Sequence, residues 1–404
     1  MSFDRRHFLG TAAAGLAGAS FGQARPARAA SDPVRIGVPT ALTGPYADLG
    51  DQAKRAVSFA VDEANAAGGV DGRAVEVRFL DTQAKADLAR QQGEKLALGG
   101  YNLLIGAPAS GEALAMGPML GRWDALYMST INKADDITGA SCQPRMFRVN
   151  RQDAADAAAI KPWLTNRPEK KWALVAADIA WGHGSGGRFK QAVESLGKTL
   201  VSESFTPFGT NDYAPYIQAV KNSGADGLWV LLAGRDAITF TTQAAQFGLL
   251  DKLTVAGISY MTDNNARAVG AISKGIWGVI NYSSTLDNPA NNRFVADWAK
   301  KYPGSAPSNF EGDTYIGMQV ILQAVIKAKS VAPGDVAKAM EGTEFTTILG
   351  QQLMRKADHQ LVGPNFFGQV KEINGVLRPV IDMTIPADIA TPPPDGTCKL
   401  GAAG

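Results

Sequence analysis

The sequence predicts an α/β protein made of two doubly wound, parallel-sheet lobes. Three observations carry that reading. Short apolar runs alternate with helix-period segments along most of the chain. That alternation runs once to about residue 149 and then starts again. The length, 404 residues, exceeds what one ordinary domain holds.

The first series opens at 34–39, VRIGVP, a strand followed by a turn at 42–46. Over 51–67, Ala53, Ala56, Val57, Ala60, Val61 and Ala64 recur at helical spacing, and Gly68 and Gly69 end the helix. Val75, Val77, Phe79 and Leu80 mark a second strand that ends at Asp81, with a helix at 84–98. Leu103, Leu104 and Ile105, bounded by Gly106, have the form of a buried parallel strand. The small residues Ala107, Pro108 and Ala109 lead to Ser110, which stands at the N-cap position of a helix at 111–120. Ala125, Leu126, Tyr127 and Met128 form a fourth strand, ending in the loop Ser129, Thr130, Ile131, Asn132, Lys133. Two strand ends with short polar loops, one feeding a helix, make a small-molecule site. In open α/β sheets ligands bind beyond the carboxyl ends of strands, where free backbone N–H groups suit an anion. The plain alternative is that Ser110 only caps its helix.

The second series has helices at 153–165, 187–196, 213–223 and 237–247, and strands at 172–177, 200–205, 227–232 and 253–257. Helices at 289–302 and 310–329 have no strand beside them, so they are expected to pack back on the first lobe. Neither lobe is then continuous in sequence.

Hydrophobic content of 45% with 19% charged residues is ordinary globular composition. Residues 1–29 hold four arginines against one aspartate, so the net charge of +2 becomes −1 without them. A near-neutral chain has no electrostatic footprint for nucleic acid. The N-terminus itself reads as a targeting segment. Arg5-Arg6-His7-Phe8-Leu9 resembles a twin-arginine export motif, followed by a mild apolar region and Ala27-Arg28-Ala29, an A-x-A cleavage site. No cysteine follows that site, so no lipid anchor is indicated. Cys142 and Cys398 are the only cysteines, and in an exported protein the expectation is one disulfide between them. It would tie the tail at Pro392, Pro393 and Pro394 back to the body.

Catalytic signatures are sparse. Residues 182–187, GHGSGG, match G-x-G-x-x-G literally, yet four residues separate them from the preceding strand and the first lobe has no such motif. A glycine-rich turn is the expected reading. G-x-S-x-G, H-E-x-x-H, C-x-x-C and P-loop patterns are absent. The three histidines, His7, His183 and His359, are too few and too scattered for a zinc site. No cofactor and no enzymatic activity are expected.

Several segments together resemble periplasmic solute-binding proteins of ABC importers, in the class of the leucine/isoleucine/valine-binding proteins. They are Ile36-Gly37 with Leu42-Thr43-Gly44-Pro45, then Gly50 and Val61-Asp62-Glu63-Ala64-Asn65. Residues 67–73 (AGGVDGR), Asp81-Thr82-Gln83, Ile105-Gly106 with Ser110, Trp181-Gly182 and Asp313-Thr314-Tyr315 continue the match. The resemblance implies two lobes joined by a three-strand hinge, with the ligand in the interlobe cleft. Its expected divisions are 31–149 plus 284–363 for lobe 1, 150–283 plus 364–390 for lobe 2, and a Pro-rich tail at 391–404.

By that resemblance Ser110, with Pro108 and Ala109 beside it, would hold a ligand carboxylate, Trp181 would close from lobe 2, and Tyr46 and Phe310 would form an apolar wall. Ile131, Lys133 and Ser259 complete the expected ligand set. Two positions depart from the amino-acid binders. Lys133 stands where they offer a Thr or Ser, and Ser259 where they offer an acid to the α-ammonium. A lysine facing an α-ammonium is repulsive. The expected solute is therefore a small carboxylate, an aromatic or oxo acid, whose charge Lys133 would pair. The expected partner is an ABC permease of the inner membrane, and the expected form a periplasmic monomer. The alternatives are a branched-chain amino acid or amide binder, and a ligand-sensing domain for a signalling partner.

Overall fold

The computed structural model describes residues 32–400. The export segment and its cleavage site lie outside the described residues. In the first lobe the chain runs through β1 (Val34–Thr40), α1 (Ala47–Ala66), β2 (Val75–Asp81), α2 (Ala86–Leu98), β3 (Leu103–Gly106), α3 (Ser110–Met116), β4 (Leu126–Ser129) and β5 (Met146–Arg148). These strands form one parallel sheet in the order β2-β1-β3-β4-β5. The fifth strand was not foreseen. Three residues are too few to show a period.

The second lobe follows with α4 (Asp153–Thr165), β6 (Lys171–Ala177), α5 (Ala180–Ser195), β7 (Thr199–Thr206), α6 (Ala214–Asn222), β8 (Gly227–Leu231), α7 (Gly234–Gln246), β9 (Thr254–Gly257), α8 (Asp263–Val269) and β10 (Trp277–Ile280). The chain then returns to the first lobe with α9 (Pro289–Lys301), α10 (Asn309–Ala328), α11 (Pro333–Met340) and a small hairpin, β11 (Glu344–Thr347) and β12 (Gly350–Leu353). It ends with β13 (Asn365–Ile373), β14 (Val376–Ile385) and α12 (Ala387–Ala390). The second sheet has the order β14-β13-β10-β9-β8-β6-β7, with β13 antiparallel to both of its neighbours.

The packing follows from the apolar faces. Phe59 of α1, Phe294 and Trp298 of α9, and Tyr315 of α10 form one aromatic cluster against the first sheet, with Phe294 and Tyr315 stacked at 4.2 Å. This is why α9 and α10, which have no strand of their own, belong to the first lobe. Between the lobes the chain crosses three times, after β5, after β10 and after β12.

The glycine-rich run departs from expectation. Residues 182–187 lie inside α5 and form no turn. A Cβ at Gly182 would stand 1.9 Å from the Ala177 carbonyl oxygen, and one at Gly186 3.0 Å from Leu174. The glycines let this helix press onto the end of β6, a packing demand that outweighs their poor helix propensity. The disulfide between Cys142 and Cys398 is present, with Cα atoms 5.5 Å apart. The tail is held further by Arg355 Nη1, which donates to Pro392 O at 2.8 Å. No helix among the described residues is long and apolar enough to cross a membrane.

Candidate ligand-binding site

The carboxyl ends of the parallel strands in both lobes face one cleft, and the cleft is closed. Asn264 Nδ2, on lobe 2, donates to Asp48 Oδ1 at 3.0 Å, and Arg188 Nε to Asp135 Oδ2 at 2.7 Å. Tyr46 of lobe 1 meets Phe208 of lobe 2 edge-on, ring centroids 4.7 Å apart. Between these contacts lies a small cavity.

All nine residues expected from the sequence line this cavity: Tyr46, Pro108, Ala109, Ser110, Ile131, Lys133, Trp181, Ser259 and Phe310. Leu49, Ile179 and Ala233 complete it. Ala233 was missed although it follows the end of β8, where the strand-end rule would have placed a site residue. Ile179 lies two residues before Trp181, and Leu49 lies in the first turn of α1. Among the described residues, no acidic residue lines the cavity.

The first wall is built by the loops after β3 and β4. Asn132 braces them together: its Nδ2 donates to Ala107 O at 2.6 Å, while Ser129 Oγ donates to its Oδ1 at 2.9 Å. Ala107 holds a positive φ of 55°, so the chain turns sharply into α3. Ser110 is the first residue of α3 and Ala109 the N-cap, one position from expectation. Its hydroxyl therefore does not cap the helix. Ser110 Oγ instead accepts the backbone N–H groups of Lys133 and Ala134, each at 3.2 Å. That leaves the hydroxyl proton to donate. Glu112, buried, reaches back to accept the Ala109 N–H at 2.7 Å, and burial pushes its carboxyl up to about 7.

Lys133 requires a correction. Its residue lines the cavity, but its ammonium does not stand free for a solute. Nζ donates to Asp156 Oδ2 at 2.7 Å, to Asn281 Oδ1 at 3.1 Å and to Arg151 O at 3.5 Å. Three acceptors match its three donors. Asp156 is fully buried on α4 and also accepts Asn365 Nδ2 at 3.0 Å. Lysine and aspartate are 23 positions apart on opposite lobes, a pairing no local pattern reveals.

The opposite wall is apolar. Phe310 is 1% exposed and Tyr46 3%. Burial, with Asp236 and Glu112 nearby, pushes the Tyr46 phenol far up, so it stays neutral. Trp181, in the first turn of α5, is buried and its Nε1–H has no acceptor among the described residues. Ser259 holds a positive φ of 56° at the back of the cavity. The lining thus includes the hydroxyls of Ser110, Ser259 and Tyr46 and the Trp181 indole, within an aromatic and aliphatic enclosure.

Residues 33–375 match the family model described as periplasmic binding protein. Among curated proteins, the chain is 27% identical to the Leu/Ile/Val-binding protein homolog 3 of Brucella melitensis, over 80% of this chain and 88% of that protein. Among solved structures it is similar to an ABC transporter solute-binding protein of Rhodopseudomonas palustris BisB5, crystallised with 3,4-dihydroxybenzoic acid. The TM-score is 0.82 at 22% identity, covering 88% of this chain and 98% of that one. A second R. palustris solute-binding protein, in complex with 4-hydroxybenzoate, gives a TM-score of 0.81 at 20% identity, covering 88% and 98%.

Proposed function

Since the chain belongs to the periplasmic binding protein family, we propose that it is the solute receptor of an ABC importer, that its solute is a small carboxylate with an apolar or aromatic body, and that it works in the periplasm without catalysing a reaction. The observation that carries this reading is the lining of the closed cavity. Its walls hold a serine hydroxyl and an indole N–H as donors and contain no carboxylate. A zwitterionic α-amino acid would bury its ammonium there unpaired, at a heavy desolvation cost. A carboxylate without the amine has donors for its oxygens and aromatic faces for its body. The two palustris proteins bound to hydroxylated benzoates support the same solute class.

In this reading the three chain crossings act as the hinge. The open form admits the acid, and closure brings Trp181 and the second lobe over it. The permease then recognises the closed form. Ser110 is the carboxylate-binding hydroxyl, and Lys133 acts at one remove by holding the loop whose N–H groups fix that hydroxyl. The Leu/Ile/Val-binding relatives favour the second reading, a branched-chain amino acid or amide. Isothermal calorimetry on the mature protein with benzoate, 4-hydroxybenzoate, leucine and isoleucine separates the two. Binding of the benzoates without the amino acids is expected. Tight leucine or isoleucine binding with no benzoate binding overturns the proposal.

A further inference from the structure

Beside Ser259 lies a second, small cavity that shares this one residue with the first. Gly257 and Gly278, partners in register on β9 and β10, both line it. Two of its polar side chains have unused hydrogen-bonding groups. Tyr282 is fully buried and its hydroxyl has no hydrogen-bond partner among the described residues. Asn309 uses its Oδ1 to accept the N–H groups of Asn281 and Tyr282, both at 2.9 Å, which leaves its amide N–H groups to the cavity. Asp263 is 8% exposed, and its carboxylate accepts its own backbone N–H. Arg378 and Arg267 lie near enough to offset part of its charge.

A buried hydroxyl without a partner, beside an amide whose N–H groups are unused, is costly unless something satisfies it. We infer that this cavity is a second subsite, which takes the far end of an acid whose body lies in the first cavity. The group it fits is neutral and both donates and accepts, a hydroxyl or a carboxamide. Asp263 would accept its N–H or O–H, and Tyr282 or Asn309 would donate to its oxygen. A cationic end is disfavoured because two arginines already act on Asp263. An apolar end would leave the Tyr282 hydroxyl and the Asn309 amide N–H groups unpaired. Ser259, in its left-handed conformation, is the residue that lines both compartments.

This inference rests on the proposed acid binding, and the experiment separates the two. Calorimetry would compare benzoate, 4-methylbenzoate, 4-(hydroxymethyl)benzoate and 4-carbamoylbenzoate on the wild type, Asp263→Ala and Tyr282→Phe. The wild type should bind the hydroxymethyl or carbamoyl acid at least about tenfold tighter than 4-methylbenzoate, the scale of a charge-assisted hydrogen bond. Both variants should lose that preference while their benzoate affinity stays within about twofold of wild type. Should 4-methylbenzoate bind as well as its polar analogues, or the preference survive in both variants, the cavity holds only water and the subsite is overturned. Should none of the four acids bind, the acid reading falls and the subsite with it.

Discussion

Lys133 Nζ lies 2.7 Å from Asp156 Oδ2, with both side chains buried and each on a different lobe. The pair gathers the hinge. Lys133 also reaches Arg151 O in the first crossing and Asn281 Oδ1 in the second, and Asp156 accepts Asn365 at the end of the third. The loop that forms one wall of the cavity is thereby fastened to all three connections between lobes. Asp313 lies close enough for Lys133 and Arg151 to act on it, while burial still pushes its carboxyl up to about 7.

Breaking that pair from one side should cost far more than removing both charges. Lys133→Ala leaves Asp156 buried and uncompensated, so urea denaturation should show a loss of about 3–5 kcal/mol. Adding Asp156→Asn to Lys133→Ala should recover part of it, because no charge then remains unpaired. An unchanged unfolding midpoint in Lys133→Ala would show that water or another group takes over the pairing.

Trp181 closes the cavity from the second lobe and has an unused N–H. Trp181→Ala should weaken 4-hydroxybenzoate binding by about 1–3 kcal/mol in calorimetry, the scale for a buried aromatic contact at a binding site. Trp181→Phe should restore the apolar contact but not the hydrogen bond, and so fall between. Wild-type affinity in Trp181→Ala, with the fold intact, would reduce the residue to packing.

Glu112 gives the protein a pH dependence of definite sign. Its carboxyl is pushed up to about 7 in the folded protein, mainly by burial, against an ordinary value of 4.5. The folded state therefore keeps the proton in a range where the unfolded chain has released it. Stability from this group is complete below the unfolded value and is lost as pH rises through about 7. Unfolding free energy measured by urea should fall between about pH 5 and about pH 8. Glu112→Gln, which can still accept the Ala109 N–H, should flatten part of that fall. Parallel curves for wild type and variant would refute the assignment.

The alternation of apolar runs and helical segments was enough to place most strands of both lobes, because a doubly buried parallel strand has few ways to be written. It also placed the loops that line the cavity, since parallel strands direct their carboxyl ends to one side of a sheet. Tyr46, Ser110, Ile131, Trp181 and Ser259 all follow strand ends, and folding brings them to one cavity. The tail disulfide was legible too, because two cysteines allow only one pairing within the chain. Other features depended on contacts between distant segments. Whether Ser110 caps its helix or braces the next loop turns on a one-residue shift at the helix start, which the packing of Glu112 against Ala109 settles. The glycines at 182–187 read as a turn until Ala177 and Leu174 are seen pressed against them. Lys133 read as a free cation because its partner lies across the hinge. A buried charge takes its role from the group that compensates it, and that group is chosen by how the two lobes meet.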